Sequence, residues 1–122
     1  MKKLVWFSFL VSAVLFSSCA TASLSKYHGI GRIKKYNIYN EQLPDSFDGF
    51  RIAFASDFHY ESRFRKKRLP GLLKALQAAD ADLLLLGGDY RGRNGGNLSE
   101  LFDVFYQVCV PYGTYGAMGN HE

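Results

Sequence analysis

The sequence predicts an α/β fold in which parallel strands alternate with helices. Three short apolar runs each end in a side chain that commonly binds metal ions, namely Asp57, Asp89 and Asn120. Asp89 follows Asp57 by 32 positions and Asn120 follows Asp89 by 31, which is the length of one strand–helix–strand unit. Because ligands bind at the carboxyl ends of the strands in open α/β sheets, we expect the three side chains to meet at one edge.

The run at residues 52–56 is the first of the predicted parallel strands. It ends at Asp57, and His59 follows two positions later. Residues at i and i+2 share one face of a strand, so both side chains would project together from its end. A carboxylate oxygen beside an imidazole nitrogen suits Zn²⁺, Mn²⁺ or Fe. Such a pair is common by chance, and it gains weight because the two later runs repeat the pattern.

Two amphipathic helices are predicted between these strands. Residues 69–79 and 97–108 carry apolar side chains at helical spacing. In the first helix these are Leu69, Leu72, Leu73, Leu76 and Ala79, and in the second they are Leu101, Phe102, Phe105 and Val108. We interpret both sets as core that packs on the sheet, and Cys109 as a buried free thiol.

The region before residue 52 predicts one further strand. Residues 32–39 alternate in character and contain lysines, which is typical of a strand at a sheet edge. Residues 43–50 predict a turn because Pro44 and Gly49 interrupt regular structure. The predicted order is therefore β-β-α-β-α-β. The glycines of residues 92–96 lack the Lys-Ser/Thr ending of a phosphate-binding loop, so nucleotide binding is a weak alternative to a flexible active-site loop.

The N-terminus predicts an export signal in residues 1–18. Two lysines precede an apolar run that is too short for a membrane span, and small residues follow it. Cleavage before Cys19 would make a lipoprotein, and cleavage after Ala22 would suit an ordinary signal peptidase. We favour the lipoprotein, with residues 19–29 as a linker, and expect a membrane-anchored protein of the cell envelope.

Charge and cysteine content exclude some classes of function. The chain has 15 basic and 11 acidic residues, a net charge of +4. Removing residues 1–18 takes away Lys2 and Lys3, which leaves 13 basic and 11 acidic residues, a net charge of +2. This balance gives no support for nucleic-acid binding. Two cysteines, one of them in or next to the leader, provide no disulfide framework. The oligomeric state is not predicted.

Three motifs together resemble those of the calcineurin-like metallophosphoesterases. They are Asp57-Phe-His59, Gly88-Asp89 and Gly119-Asn-His-Glu122, and the resemblance covers residues 30–122. The lead-in at residues 43–53 is similar to a membrane-associated bacterial branch that acts on phospholipid or nucleotide-lipid phosphates. The resemblance implies a β-sandwich flanked by helices, of which only the N-terminal part is present. It also implies two divalent metal ions, Mn, Zn or Fe, and a phosphate-ester substrate.

The resemblance further implies roles for individual residues. Asp57 and His59 would bind the first metal ion, Asp89 would bridge both ions, and Asn120 would bind the second. The catalytic residues would be His121, which acts on the leaving group or the transition state, and Glu122, which orients its ring.

The sequence departs from the family pattern in two places. Gly92 stands where some members have a second aspartate, and the histidines of the later family motifs have no counterpart in these 122 residues. We therefore expect an N-terminal part of a longer phosphoesterase that is inactive alone. The alternative is a noncatalytic exported lipoprotein that retains half of the fold as a binding or structural module.

Overall fold

A three-stranded parallel sheet and two helices form the fold. The computed structural model describes residues 26–93 and 96–120. In chain order the elements are β1 (Ile52–Ala55), α1 (Leu69–Gln77), β2 (Leu83–Leu86), α2 (Ser99–Tyr106) and β3 (Thr114–Gly116). The predicted α/β class and the alternation of parallel strands with helices are confirmed.

The two faces of the sheet have different surroundings. β1 and β3 both pair in parallel with the central strand β2, in the order β1-β2-β3. Both crossovers therefore run in the same direction, and right-handed connections place α1 and α2 on one face. On that face Leu84 is completely buried, whereas Phe54 on the other face is 67% exposed. Among the described residues, the apolar outer face has no covering layer.

Both helices bury one apolar stripe against the sheet. α1 begins with a proline in its first turn, where no helical hydrogen bond is lost. Its predicted stripe is largely confirmed, with Leu69, Leu72 and Leu76 in the core. The stripe of α2 differs from the prediction in one member, because Val104 is buried while Phe102 is 43% exposed. Residue 104 continues the i, i+3 spacing from Leu101, and residue 102 lies at the border of the stripe.

The predicted strand at residues 32–39 is wrong. The chain forms no strand there, and its large side chains are exposed, Tyr39 by 89%. A strand needs the hydrogen bonds of a neighbour, and the described residues offer no partner strand beside this segment. Alternation of residue types is therefore not sufficient to form a strand. The turn predicted at residues 43–50 is confirmed as a short 3₁₀ helix at Asp45–Phe47.

Cys109 was predicted to be buried, and that prediction is wrong. α2 ends at Tyr106, so the helical pattern does not continue to residue 109. Val108 is buried in the core, and Cys109 is an exposed free thiol.

The predicted leader and lipid-attachment residue lie outside the described residues, which begin at residue 26. Within the described part, no helix has both the length and the apolar character needed to cross a bilayer.

Candidate metal centre

The segments that follow β1 and β2 continue side by side beyond the strands. The backbone N–H of His59 donates to the carbonyl of Asp89 at 2.9 Å, and that of Tyr60 donates to the carbonyl of Tyr90 at 2.7 Å. The N–H of Gly92 then donates back to the carbonyl of Tyr60 at 3.0 Å. The carboxyl edge of the sheet is thereby extended by two paired loops, which carry the predicted ligands.

Three of the predicted ligand side chains converge at this edge. Asp57, His59 and Asp89 each offer one ligand atom, and these atoms all lie within 4.8 Å of one another. With metal–ligand bonds of about 2.0–2.2 Å, two ligands of one ion are separated by at most about 4.4 Å. The observed spacing therefore needs only small side-chain adjustments to hold an ion, and two carboxylates with an imidazole are suitable donors for Mn²⁺, Zn²⁺ or Fe.

The predicted strand geometry of Asp57 and His59 is wrong. The prediction has both side chains on one face of an extended segment at the end of a strand over residues 52–56, but β1 ends at Ala55. Asp57, His59 and Asp89 have left-handed backbone conformations, with φ of 59°, 42° and 54°. Asp and His enter this region more readily than most residues, although each such residue still costs about 1–3 kcal/mol. Turns, and not strand alternation, bring the side chains together.

A close backbone approach brings the segment after β3 to the same place. Gly88 has φ of 86°, and a Cβ atom there would lie 2.4 Å from the backbone nitrogen of Gly119. The absent side chain lets the two segments touch. The N–H of Asn120 then donates to Oδ1 of Asp89 at 3.0 Å. Asn120 therefore lies beside the cluster, and metal binding by its side chain stays a prediction.

Comparison with known proteins identifies the family. The model of the calcineurin-like phosphoesterase family matches residues 50–122, which is more than half of the chain. The chain belongs to this family. It is also 26% identical over 82 residues to a transmembrane protein with metallophosphoesterase domain from Danio rerio, a match that covers 67% of this chain and 19% of that protein. No solved structure matches the chain significantly.

Membership in the family indicates the type of reaction and the kind of metal ion. The family consists of phosphoester hydrolases that generally use divalent metals. The chain spans about a fifth of the length of the curated relative that it matches, 19%. Within the described residues, the ligand atoms of Asp57, His59 and Asp89 lie close enough together to hold such an ion.

Three contacts near the Asp57, His59 and Asp89 cluster are not predicted from the sequence. The hydroxyl of Ser56 donates to Oδ2 of Asp57 at 2.6 Å. The hydroxyl of Tyr60 donates to Oε2 of Glu100 at 2.7 Å, and Glu100 also pairs with Lys66. A serine next to a candidate ligand could have been noted from the sequence. No sequence signal joins Tyr60 to a residue 40 positions away.

These contacts shift the pKa values of the groups involved. The hydrogen bonds from Lys66 and then Tyr60 lower the pKa of Glu100 below its ordinary value. The hydrogen bond to Glu100 raises the pKa of Lys66. Burial, and secondly the Glu100 hydrogen bond, raises the pKa of Tyr60. At neutral pH Tyr60 is therefore neutral, Glu100 is a carboxylate and Lys66 is an ammonium group.

The predicted catalytic pair, His121 and Glu122, lies outside the described residues, as do residues 94 and 95 of the glycine-rich loop. Gly92 is described and is tightly placed, since a Cβ atom there would lie 2.5 Å from the carbonyl oxygen of Tyr60. An aspartate at this position would require the loop to move.

Proposed function

We propose that this phosphoesterase hydrolyses a phosphate mono- or diester with two divalent ions bound at the carboxyl edge of the sheet. The observation that carries the proposal is the convergence of the ligand atoms of Asp57, His59 and Asp89 within 4.8 Å. Divalent ions supply Lewis acidity and a deprotonated water nucleophile at neutral pH, which bulk water cannot provide.

The chain's own residues would divide the work at this edge. Asp57 and His59 would hold one ion, and Asp89 would be shared with the second ion. In support, Oδ2 of Asp89 lies 3.9 Å from Nε2 of His59, and its Oδ1 accepts the N–H of Asn120, which brings Asn120 next to the same carboxylate. Asn120 would bind the second ion. His121 would protonate the departing alkoxide, and Glu122 would hold the orientation of its ring.

The substrate class and the location are part of the same proposal. A phospholipid or a nucleotide-linked lipid fits an enzyme that is exported and anchored in the cell envelope through Cys19. The basic and apolar pattern of residues 1–18 supports this location. Incorporation of labelled fatty acid into the protein in cells is expected, and failure to label would contradict the anchor.

Hydrolysis by the full-length protein tests the function. We expect Mn²⁺-dependent cleavage of p-nitrophenyl phosphate or of bis-p-nitrophenyl phosphate. Asp89→Ala should lower the rate at least about 100-fold, because losing the ligand shared by both ions removes nucleophile and phosphate binding together. It should also abolish the rise in melting temperature that Mn²⁺ causes by binding the native state.

The matched control is Asp103→Ala, which removes an exposed carboxylate from α2. It should leave both the rate and the Mn²⁺-induced stabilisation unchanged. Mn²⁺ binding without hydrolysis of either ester would instead support the noncatalytic binding module. Hydrolysis that survives Asp89→Ala would contradict the proposed site.

A further inference from the structure

A buried tyrosine links the candidate metal centre to the start of α2. The side chain of Tyr60, directly after His59, is almost completely buried, with 1% of the residue exposed. Its hydroxyl donates to Oε2 of Glu100 at 2.7 Å. Glu100 is in the first turn of α2, where the helix dipole stabilises a carboxylate. The hydrogen bond therefore ties the loop after β1 to a rigid element of the core.

Both backbone groups of His59, the N–H and the carbonyl, form hydrogen bonds. Its N–H donates to Asp89, and its carbonyl accepts the Ser62 hydroxyl at 2.9 Å and the N–H groups of Ser62 and Arg63 at 3.0 Å. This tight turn has the left-handed φ of 42° at His59. Such a conformation persists only where the surrounding structure imposes it.

The link through Tyr60 gives the turn a contact outside its own loops. The described hydrogen bonds of the His59 backbone join residues of the loops at the sheet edge. Glu100 precedes Leu101, which is completely buried in the core, so its backbone position is fixed by packing. Ligand geometry tolerates displacements of only about 0.5 Å. A fixed point one residue from His59 therefore bears directly on metal affinity.

We propose that Tyr60 and Glu100 are positioning residues, whose hydrogen bond holds His59 in the geometry that binds the first divalent ion. The proposal rests on the proposed function, because it assumes that Asp57, His59 and Asp89 bind a metal. Tyr60 and Glu100 act through His59 and do not touch the ion.

Metal affinity of the full-length protein tests the proposal. We would measure Mn²⁺ dissociation constants by electron paramagnetic resonance, and the visible absorption of the Co²⁺ form, which reports on histidine ligation. Tyr60→Phe and Glu100→Ala should each weaken Mn²⁺ binding by about tenfold, as loss of a group that orients a ligand commonly does. Both should also change the Co²⁺ spectrum. Glu100→Gln retains an oxygen that accepts the Tyr60 hydroxyl, so it should restore most of the affinity and the original spectrum.

Tyr90→Phe is the matched control, since it also removes a hydroxyl from a buried tyrosine. That hydroxyl donates to the carbonyl of Leu86, at the end of β2, at 3.3 Å. Tyr90→Phe should bind Mn²⁺ as the unsubstituted protein does. Equal weakening in Tyr90→Phe and Tyr60→Phe, or unchanged binding in both Tyr60→Phe and Glu100→Ala, would overturn the positioning role while leaving the metal site intact.

A different result would contradict the proposed function itself. If the unsubstituted protein binds neither ion, or if Asp89→Ala binds Mn²⁺ equally well, the metal site itself is refuted and the positioning role with it. Glu100 is partly exposed, with 41% of its side chain accessible, so Glu100→Ala is expected to fold even where a change at the buried Tyr60 is not tolerated.

Discussion

At the scale of single residues, the candidate site depends on backbone conformations that few residues adopt. Five described residues other than glycine have positive φ, and four of them lie at the sheet edge: Asp57, His59, Glu61 and Asp89. Each is unfavourable by about 1–3 kcal/mol unless contacts impose it. Their concentration at one edge indicates that the fold gives up stability there to place side chains.

Gly88→Ala should destabilise the protein by more than about 3 kcal/mol, because it adds a strained φ of 86° to a 2.4 Å clash with Gly119. Gly49→Ala isolates the first cost, since its φ is 74° but nothing lies within 4 Å, and should cost about 1–2 kcal/mol. Gly31→Ala has neither problem and should stay within about 0.5 kcal/mol. Urea unfolding measures all three, and equal costs for Gly49 and Gly88 would show that the close approach does not exist.

At the scale of elements, the loop after β1 is attached to the first turn of α2. Lys66 and Tyr60 both contact Glu100, and both come from the segment between β1 and α1. The Lys66 side chain is exposed and that of Glu100 is partly exposed, so their ion pair contributes little by itself. The contact nevertheless connects the two strand–helix units at a point next to the candidate metal centre.

The pH dependence of stability should report this contact. Because the folded-state pKa of Glu100 lies below its ordinary value of 4.5, its contribution is present above that pH and is lost as the pH falls through the lowered pKa. Glu100→Gln should therefore reduce the stability of the protein at neutral pH, and its stability should fall less steeply than that of the unsubstituted protein below pH 4.5. Thermal unfolding between pH 7 and pH 3 checks this. Glu41→Gln, at an exposed turn, should leave the dependence of stability on pH unchanged. If Glu100→Gln lost stability between pH 4.5 and pH 3 as steeply as the unsubstituted protein, the contact would be contradicted.

At the scale of the whole molecule, the described chain has one helical layer on one face of its sheet. The buried face and the helices enclose the core, which includes Leu84 and the rings of Phe58, Tyr90 and Phe105. Parallel sheets are usually covered on both faces. Here Ile52 and Phe54 are exposed on the outer face. Replacing a large side chain by alanine should therefore cost less stability on the outer face than on the buried face.

Leu84→Ala should destabilise the 122-residue chain by about 2–5 kcal/mol, because it opens a cavity in a fully buried position. Phe54→Ala should cost less than about 1 kcal/mol, since 67% of Phe54 is already exposed. Urea unfolding of both variants measures the difference. A cost at Phe54 equal to that at Leu84 would show that the outer face is covered.

Local sequence patterns determined the order of the elements and the edge at which the site forms. The apolar runs and helical spacing define β1, α1, β2, α2 and β3. Parallel strands joined by right-handed crossovers must deliver the residues after each strand to the same edge. The position of Asp57, His59 and Asp89 at one edge follows from these two facts, and neither requires knowledge of any long-range contact.

Only the tertiary structure decided the geometry of that site. The contact of Gly88 with Gly119 and the hydrogen bond between Tyr60 and Glu100 join residues from different segments. The left-handed backbone at His59 persists only because the surrounding structure imposes it. Residues 32–39 show the same limit, because their alternating pattern forms no strand without a partner. Periodicity encodes which face of an element is apolar, whereas hydrogen bonds between distant segments depend on how the elements pack.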